Sequence, residues 1–454
     1  MNLSSPPLRK PMLRNYQSAV LVLLYQSLSV HRGRTLTVLF PRQAGKNEVS
    51  AALVATILVG HAREGGSIVI CAPTYRPQGR ISEDRSWQAI RRLATWMPEA
   101  RNAERQDNEI RVGRARALFL SASEEAHSPG HTASLALIAD EAQDINEAWF
   151  DRQFRPMAAS TGAATVLFGT PWDGRSLLDH AVARNRAADA VPRMPGIPPL
   201  HHEVPWEVVA ETRPAYGLYV RQERERLGAD HPLFLSQYGL RTVESAGRMF
   251  SAEQVVRIEG SFARLSGPSA GERYVAGLDL GGDGERADAS VLTIARVTAE
   301  RACEVIQHIA WAGAQYVTVE QEVTALARRW RIERLSVDGT GLGGPVAATL
   351  ERELGGMLDR VFFTAAVKSA LGYGLIAGID TGRLRVYASD GSEAAVTLRD
   401  KLADCRSRYS SGRELRWGND VGHDDYVVSL ALCLRSAESV GAPRVATGRR
   451  REQM

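Results

Sequence analysis

Lysine is nearly missing from this chain. Of its 56 basic residues only four are lysines, Lys10, Lys46, Lys368 and Lys401, so a lysine here is a weaker candidate for generic surface charge and a stronger one for a specific task. Cysteine is scarce as well. Cys71, Cys303, Cys405 and Cys433 stand far apart with no CxxC spacing, which points to neither a zinc site nor a disulfide framework and fits a reducing cytoplasm. No apolar run reaches the roughly 18 residues of a membrane span, so no membrane association is expected. The opening residues, MNLSSPPLRKPMLRNYQ, lack the charged start, apolar centre and small-residue cleavage site of a secretory signal. Charge of neither sign dominates: a net +4 is compatible with a nucleic-acid partner but describes many enzymes.

What is present describes a globular protein, with 44% hydrophobic and 24% charged residues. At 454 residues and roughly 150 residues per domain, two or three domains are expected. The first half reads as an α/β fold. Apolar runs at Thr35–Phe40, Ser67–Cys71, Ala117–Leu120, Leu135–Ala139 and Thr165–Phe168 alternate with helical or turn stretches, the rhythm of a mostly parallel sheet. Such sheets bind ligands at the carboxyl ends of their strands. From Asp173 to about Ser245 the pattern turns helical and proline-rich. A second strand-rich unit opens at Arg273–Asp279 and continues through Ser290–Val297 and Cys303–Trp311, a helix at Val319–Trp330, a strand at Leu335–Asp338 and a helix at Asp425–Ala437. The expected domains are 1–174, a helical lid and linker at 175–250, a third unit at 251–442, and an arginine-rich, disordered tail at 443–454. There is no internal repeat.

Between Val38 and Glu48 a strand turns sharply into an apolar helix, and such a turn aims backbone N–H groups and the positive helix end at one spot suited to phosphate. Gly45 allows close approach and Lys46 adds a compact cation. The strict P-loop pattern is not met: Phe40 stands where its first glycine belongs, and Asn47 replaces the magnesium-binding hydroxyl. The loop alone can equally be an ordinary strand–helix turn. Downstream, the buried run Leu135–Ala139 ends in Asp140 and Glu141, of which the first can hold magnesium through water and the second can polarise an attacking water. Tyr16 and Gln17 can stack on and hydrogen-bond adenine, and Thr170, in Gly169-Thr-Pro, can sense a γ-phosphate. Taken singly these two signals are a polar helix start and a turn.

Acids recur in another arrangement later. Asp279 and Asp338 each end a strand, and Asp424-Asp425 opens an apolar helix. Singly, a strand-end aspartate is a turn residue and an Asp-Asp before a helix is a cap. Together, in one strand-rich unit, they can converge on two divalent ions. Oxygen-only ligands suit magnesium or manganese, and paired ions can activate water for phosphodiester cleavage.

Arg42-Gln43-Ala44-Gly45-Lys46, then Ala139-Asp-Glu-Ala, then Gly169-Thr-Pro, resembles the large terminase subunits of tailed phages over nearly the whole chain, Leu13 to Arg435. The resemblance implies an ASCE-type P-loop ATPase, a small lid subdomain and an RNase H-like nuclease. It implies ATP contacts from Tyr16, Gln17, Arg42, Gln43, Ala44, Gly45, Lys46, Asn47, Asp140 and Thr170, with Arg42 acting in cis on the phosphates, Asp140 on magnesium and Glu141 catalytic. Asp279, Asp338, Asp424 and Asp425 match the nuclease acids, Asp425 favoured over Asp424 for direct ligation and Asp288 an auxiliary ligand. Implied partners are double-stranded DNA, the procapsid portal protein, the small terminase subunit and further copies in a pentameric ring, in the host bacterial cytoplasm and transiently at the portal. Arg383, Arg385, Arg399, Arg413 and Arg416 are candidate DNA-backbone contacts, or simply solvated. A helicase–nuclease of repair or restriction, and a DNA-binding scaffold with a decayed ATPase fold, are the alternatives.

Overall fold

The computed structural model describes residues 13–124, 130–243, 246–282, 288–340, 343–410, 413–419 and 423–440. The tail from Pro443 expected to be disordered, and parts of the glycine-rich turns after Asp279 and Asp338, lie outside them. Among the described residues no helix is long and apolar enough to cross a membrane. The chain divides into two compact units, Met1–Arg224 with Pro232–Ser245, and Glu225–His231 with Ala246–Met454.

Among the described residues the first unit is built on eight strands: β1 (Thr35–Leu39), β2 (Gly66–Ala72), β3 (Ala103–Gln106), β4 (Glu109–Val112), β5 (Ala115–Ser121), β6 (Ala136–Ala139), β7 (Ala164–Gly169) and β8 (His201–Glu203). Their order is β3-β4-β5-β2-β6-β7-β1-β8, parallel from β5 to β8 with an antiparallel β3–β4 hairpin on one edge. β6 and β7 are buried throughout, as central parallel strands covered on both faces must be, and that is why they read as unbroken apolar runs. β7 lies between β1, which leads into the Gly45–Lys46 turn, and β6, which leads into Asp140. This is the ASCE arrangement. The helix Leu177–Asp189, expected to open the lid, packs Leu177, Leu178, Ala181 and Val182 into one core with Leu39, Leu137 and Leu167. Further helices cover Trp206–Thr212, Pro214–Leu227 and Pro232–Gln237.

The second unit carries β9 (Ala246–Arg248), β10 (Arg273–Asp279), β11 (Ser290–Val297), β12 (Cys303–Trp311), β13 (Ile332–Asp338), β14 (Leu358–Val361), β15 (Leu384–Val386), β16 (Cys405–Tyr409) and β17 (Leu415–Asn419). One sheet runs β14-β13-β10-β11-β12-β15, and a small antiparallel sheet runs β17-β16-β9. β10, β11 and β12 are antiparallel, while β13 and then β14 add in parallel beside β10. That is RNase H-like topology. Helices cover both faces of β10: Tyr274, Ala276 and Leu278 share a core with Val319 and Val323, whereas Val275 faces Val427 and Leu430. Gly277 lets the helix Asp425–Ser439 lie directly on the strand, since a Cβ there would collide with the backbone at Cys433 and Ser429. Ser436 fixes the contact, donating to the Ala276 carbonyl (2.8 Å) and accepting from the Ser336 amide (2.9 Å).

Candidate active sites

The turn after β1 is held from two sides. Gly45 has φ +93°, and a Cβ there would run into the Gln17 amide, so both backbone and packing require glycine. Tyr16 donates its hydroxyl to the Ala44 carbonyl (2.8 Å) and Gln17 its amide to the Gly45 carbonyl (3.3 Å). Both side chains are buried, and Phe40, the residue replacing the first P-loop glycine, packs against Tyr16 with ring centroids 6.5 Å apart. The adenine-stacking pair expected from sequence thus reaches the expected loop, but as buried struts beneath it: the Tyr16 ring is covered and the Gln17 amide engaged. On the other side Tyr216 donates to the Arg42 carbonyl (2.9 Å), Arg213 to the Gln43 carbonyl (3.4 Å), and Arg42 to the Gln237 side chain (3.0 Å). Asn47 sits half-buried in the first turn of the helix Lys46–Gly60, whose N-terminus favours an anion.

Lys46 points at the acids. Its Nζ lies 2.7 Å from Glu141 and 3.8 Å from Asp140. Burial raises the Asp140 carboxyl above its usual range and Glu141 adds to the rise, while Lys46 pulls it down; a buried acid of this kind favours a cation beside it. Glu141 adopts a left-handed backbone (φ 50°), a conformation associated with strained functional positions. Gln143, not singled out from sequence, links two motifs. Its amide nitrogen donates to Glu141 (2.9 Å) and to Asp144 (3.0 Å), and its oxygen accepts from the Thr170 amide (3.2 Å).

In the second unit Asp279 and Asp338 end adjacent parallel strands, whose preceding residues Leu278 and Val337 are paired. Asp338 accepts from the Thr340 amide (2.8 Å), the turn contact its position allows. Asp424 stands at the helix N-cap, yet its side chain caps nothing; it accepts instead from Lys368 (3.1 Å). The cap reading is therefore excluded for Asp424. Burial drives the Asp279 carboxyl well above its usual range, and Asp425, Asp338 and Asp424 push it further, with Lys368 opposing. Burial also raises Asp425 to about 6, helped by Asp288 and Asp424 and opposed by His423 and Lys401. Asp288 pairs with His423 (2.8 Å). Among the described residues no three such side chains close tightly enough to enclose an ion as they stand. They form a looser cluster, as mutually repelling carboxylates do until a cation draws them in. Oxygen ligands with this much uncompensated negative charge fit magnesium or manganese.

Lys368 is the second residue of these sites absent from the sequence-based candidates, although lysine scarcity is the signal that could have found it. Of the candidate arginines, Arg399 pairs with Glu259 (2.6 Å) and Arg383 donates to the Arg226 carbonyl (2.9 Å). Arg416 lines an open groove with Arg406, Arg408 and Trp417. Arg385 is exposed, with no side-chain pairing seen among the described residues, and Arg413 contributes its carbonyl to the Tyr373 hydroxyl (2.9 Å).

One chain thus carries a P-loop-type nucleotide fold and an RNase H-like fold, each with acids at its strand ends. The chain is similar to solved bacteriophage large terminases. The large terminase of bacteriophage HK97 is 13% identical, with 94% of this chain and 96% of that one covered and a TM-score of 0.41. The large terminase of a thermophilic bacteriophage is 11% identical over 92% and 98%, at 0.48. The large terminase nuclease of thermophilic phage G20c is 20% identical over 41% and 97%, at 0.34. No family model and no curated protein matches the chain.

Proposed function

We propose that this chain is a large terminase subunit, an ATP-driven motor that moves double-stranded DNA into a procapsid, joined to a metal-dependent endonuclease that cuts genome units from concatemers. The observation that carries the reading is the pairing of two different acid sites in one chain. One sets Lys46 against Glu141 and Asp140 at a phosphate-type turn, and the other gathers Asp279, Asp338, Asp424 and Asp425 at one end of an RNase H-like sheet. In the motor, Gly45 and Lys46 hold the phosphates, Asp140 the magnesium, and Arg42 contributes its charge in cis. Glu141, oriented by Gln143, takes the proton of the attacking water once Lys46 turns to phosphate. In the nuclease, paired divalent ions supply an activated water and a stabilised leaving oxygen. Asp279, Asp338 and Asp425 would hold them, with Asp424 able to join as the ions bind and Asp288 auxiliary.

DNA as the substrate draws support from the small sheet, where Arg408 faces Arg416 and Arg406 faces Arg248 across strands. Like charges directly opposite are unfavourable alone and are relieved by a polyanion. Among the described residues the second unit carries no second motor fold, which disfavours the helicase reading. Partners follow from the role: the portal, a small terminase subunit and further copies in a ring, pentameric by the family resemblance, in the host cytoplasm. The test is paired. Lys46→Ala and Glu141→Gln lose ATP hydrolysis by about 100-fold or more but keep manganese-dependent plasmid cleavage, and Asp279→Ala does the reverse. Equal, background-level hydrolysis in parent and variants would leave the chain a scaffold.

A further inference from the structure

The three described lysines in this arginine-favouring chain all serve acids. Lys46 meets Asp140 and Glu141, Lys368 meets Asp424, and the charge of Lys401 bears on Asp425. The proposed chemistry uses only Lys46, and of the other two Lys368 is the one whose ammonium pairs with an acid of the site. It occupies the first turn of the helix Ala365–Asp380, the end where a cation is disfavoured by the helix dipole, so its own helix gives no reason for it. The site does. Trp417 donates its indole N–H to the Lys368 carbonyl (2.7 Å), and Ser369 accepts from the Leu415 amide (2.9 Å), locking this helix turn onto β17. The ammonium then lies 5.1 Å from the centre of the Trp417 ring, a cation–π placement, and 3.1 Å from Asp424. An arginine would grip the carboxylate through a two-pronged clamp; a lysine is a point charge that engages one oxygen and releases it readily.

We propose that Lys368 is a built-in counter-cation that holds Asp424 while the cluster lacks divalent ions and yields that carboxylate to an arriving ion, thereby setting the ion concentration at which cleavage begins. The proposal rests on the nuclease reading. Lys368 is a positioning residue, since it acts through Asp424. Removing it takes away both a competitor for the carboxylate and a charge that repels the ion, so the ion must bind more tightly. A merely structural lysine has the opposite effect.

The experiment is calorimetric titration of the full chain with manganese, without DNA. Lys368→Met is expected to bind manganese at least threefold more tightly than the parent, while Lys368→Arg, which keeps the charge and can clamp the carboxylate through two donors, binds manganese no more tightly than the parent. Lys368→Gln supplies the same loss of charge should the first variant not fold. Folded neutral variants that bind manganese equally or more weakly overturn the proposal. If manganese binding by the parent is indifferent to Asp279→Ala, the nuclease reading falls and the proposal with it; if Asp279→Ala abolishes binding but loss of the lysine does not tighten it, the proposal alone falls.

Discussion

Replacing Gly277 with alanine tests how the fold builds the nuclease site, using a residue that carries no chemistry itself. The new methyl would meet the backbone of the helix Asp425–Ser439 at Cys433 N and Ser429 O. Backbone atoms cannot rotate aside as a side-chain tip can, so the helix must retreat on the order of 1 Å to recover van der Waals separation. Overpacking of this kind costs about 1–3 kcal/mol. The retreat also stretches the Ser436 bonds to Ala276 and Ser336 and the Thr293–Ser429 bond (2.7 Å), each worth about 1 kcal/mol. The second unit should therefore lose about 2–5 kcal/mol, read as a lower urea midpoint for its transition. The same displacement moves Asp424 and Asp425 away from Asp279, and misplacement by about 1 Å costs about 100-fold in rate. Plasmid cleavage in manganese should fall by that factor while ATP hydrolysis stays within about twofold. A Gly277→Ala protein of parental stability and full cleavage rate would refute the claim that this close approach positions the acids.

Gln143→Ala removes the amide that orients Glu141 and ties it to Thr170, so steady-state kinetics should show the kcat for ATP falling about tenfold with KM within about threefold; a change confined to KM would contradict an orienting role. Tyr16→Phe deletes one buried bond to the phosphate turn, worth about 1 kcal/mol, and should raise the KM for ATP about fivefold, whereas no change would mean the strut is idle. The pH dependence has a definite sign. The Asp425 carboxyl is raised from 3.8 to about 6, so its contribution to stability is complete below pH 3.8 and is lost as pH rises through about 6. The loss is at most about 3 kcal/mol, reduced to about 1–2 kcal/mol by solvent access. Thermal unfolding in chelator from pH 4 to 8 should decline less in Asp425→Asn than in the parent, and identical slopes would contradict the cause given for the shift.

The parts of this molecule legible in its sequence are those where burial dictates residue type. β6 and β7 are covered on both faces and so are nearly uninterrupted apolar runs, and the acids at the ends of β6 and β10 stand out because each follows such a run, whereas Asp338 follows only the short buried stretch Leu335-Ser-Val. The β3–β4 hairpin offers no such signal. Its strands expose alternate polar residues, and its turn is Asp107-Asn108 with Asp107 at φ 52° in place of the usual Asn-Gly or Asp-Gly. β16 and β17 are equally opaque, being short and arginine-rich, and the helix Ala365–Asp380 hides behind three glycines. Tyr16, in the helix Asn15–Val30, reaches the expected loop with a different contact, because which face of its ring is covered depends on Phe40, a residue remote in sequence. Lys368 is visible as a scarce lysine, but its partner lies 56 residues away, and no local pattern announces that distance.

A crystal structure with an ATP analogue and manganese tests the two-site account most directly. The account predicts phosphate oxygens on the Gly45–Lys46 turn with Lys46 swung from Glu141 onto them, and anomalous peaks bound by Asp279, Asp338 and Asp425. A nucleotide bound elsewhere, or manganese that bypasses Asp279 and Asp338, would contradict it.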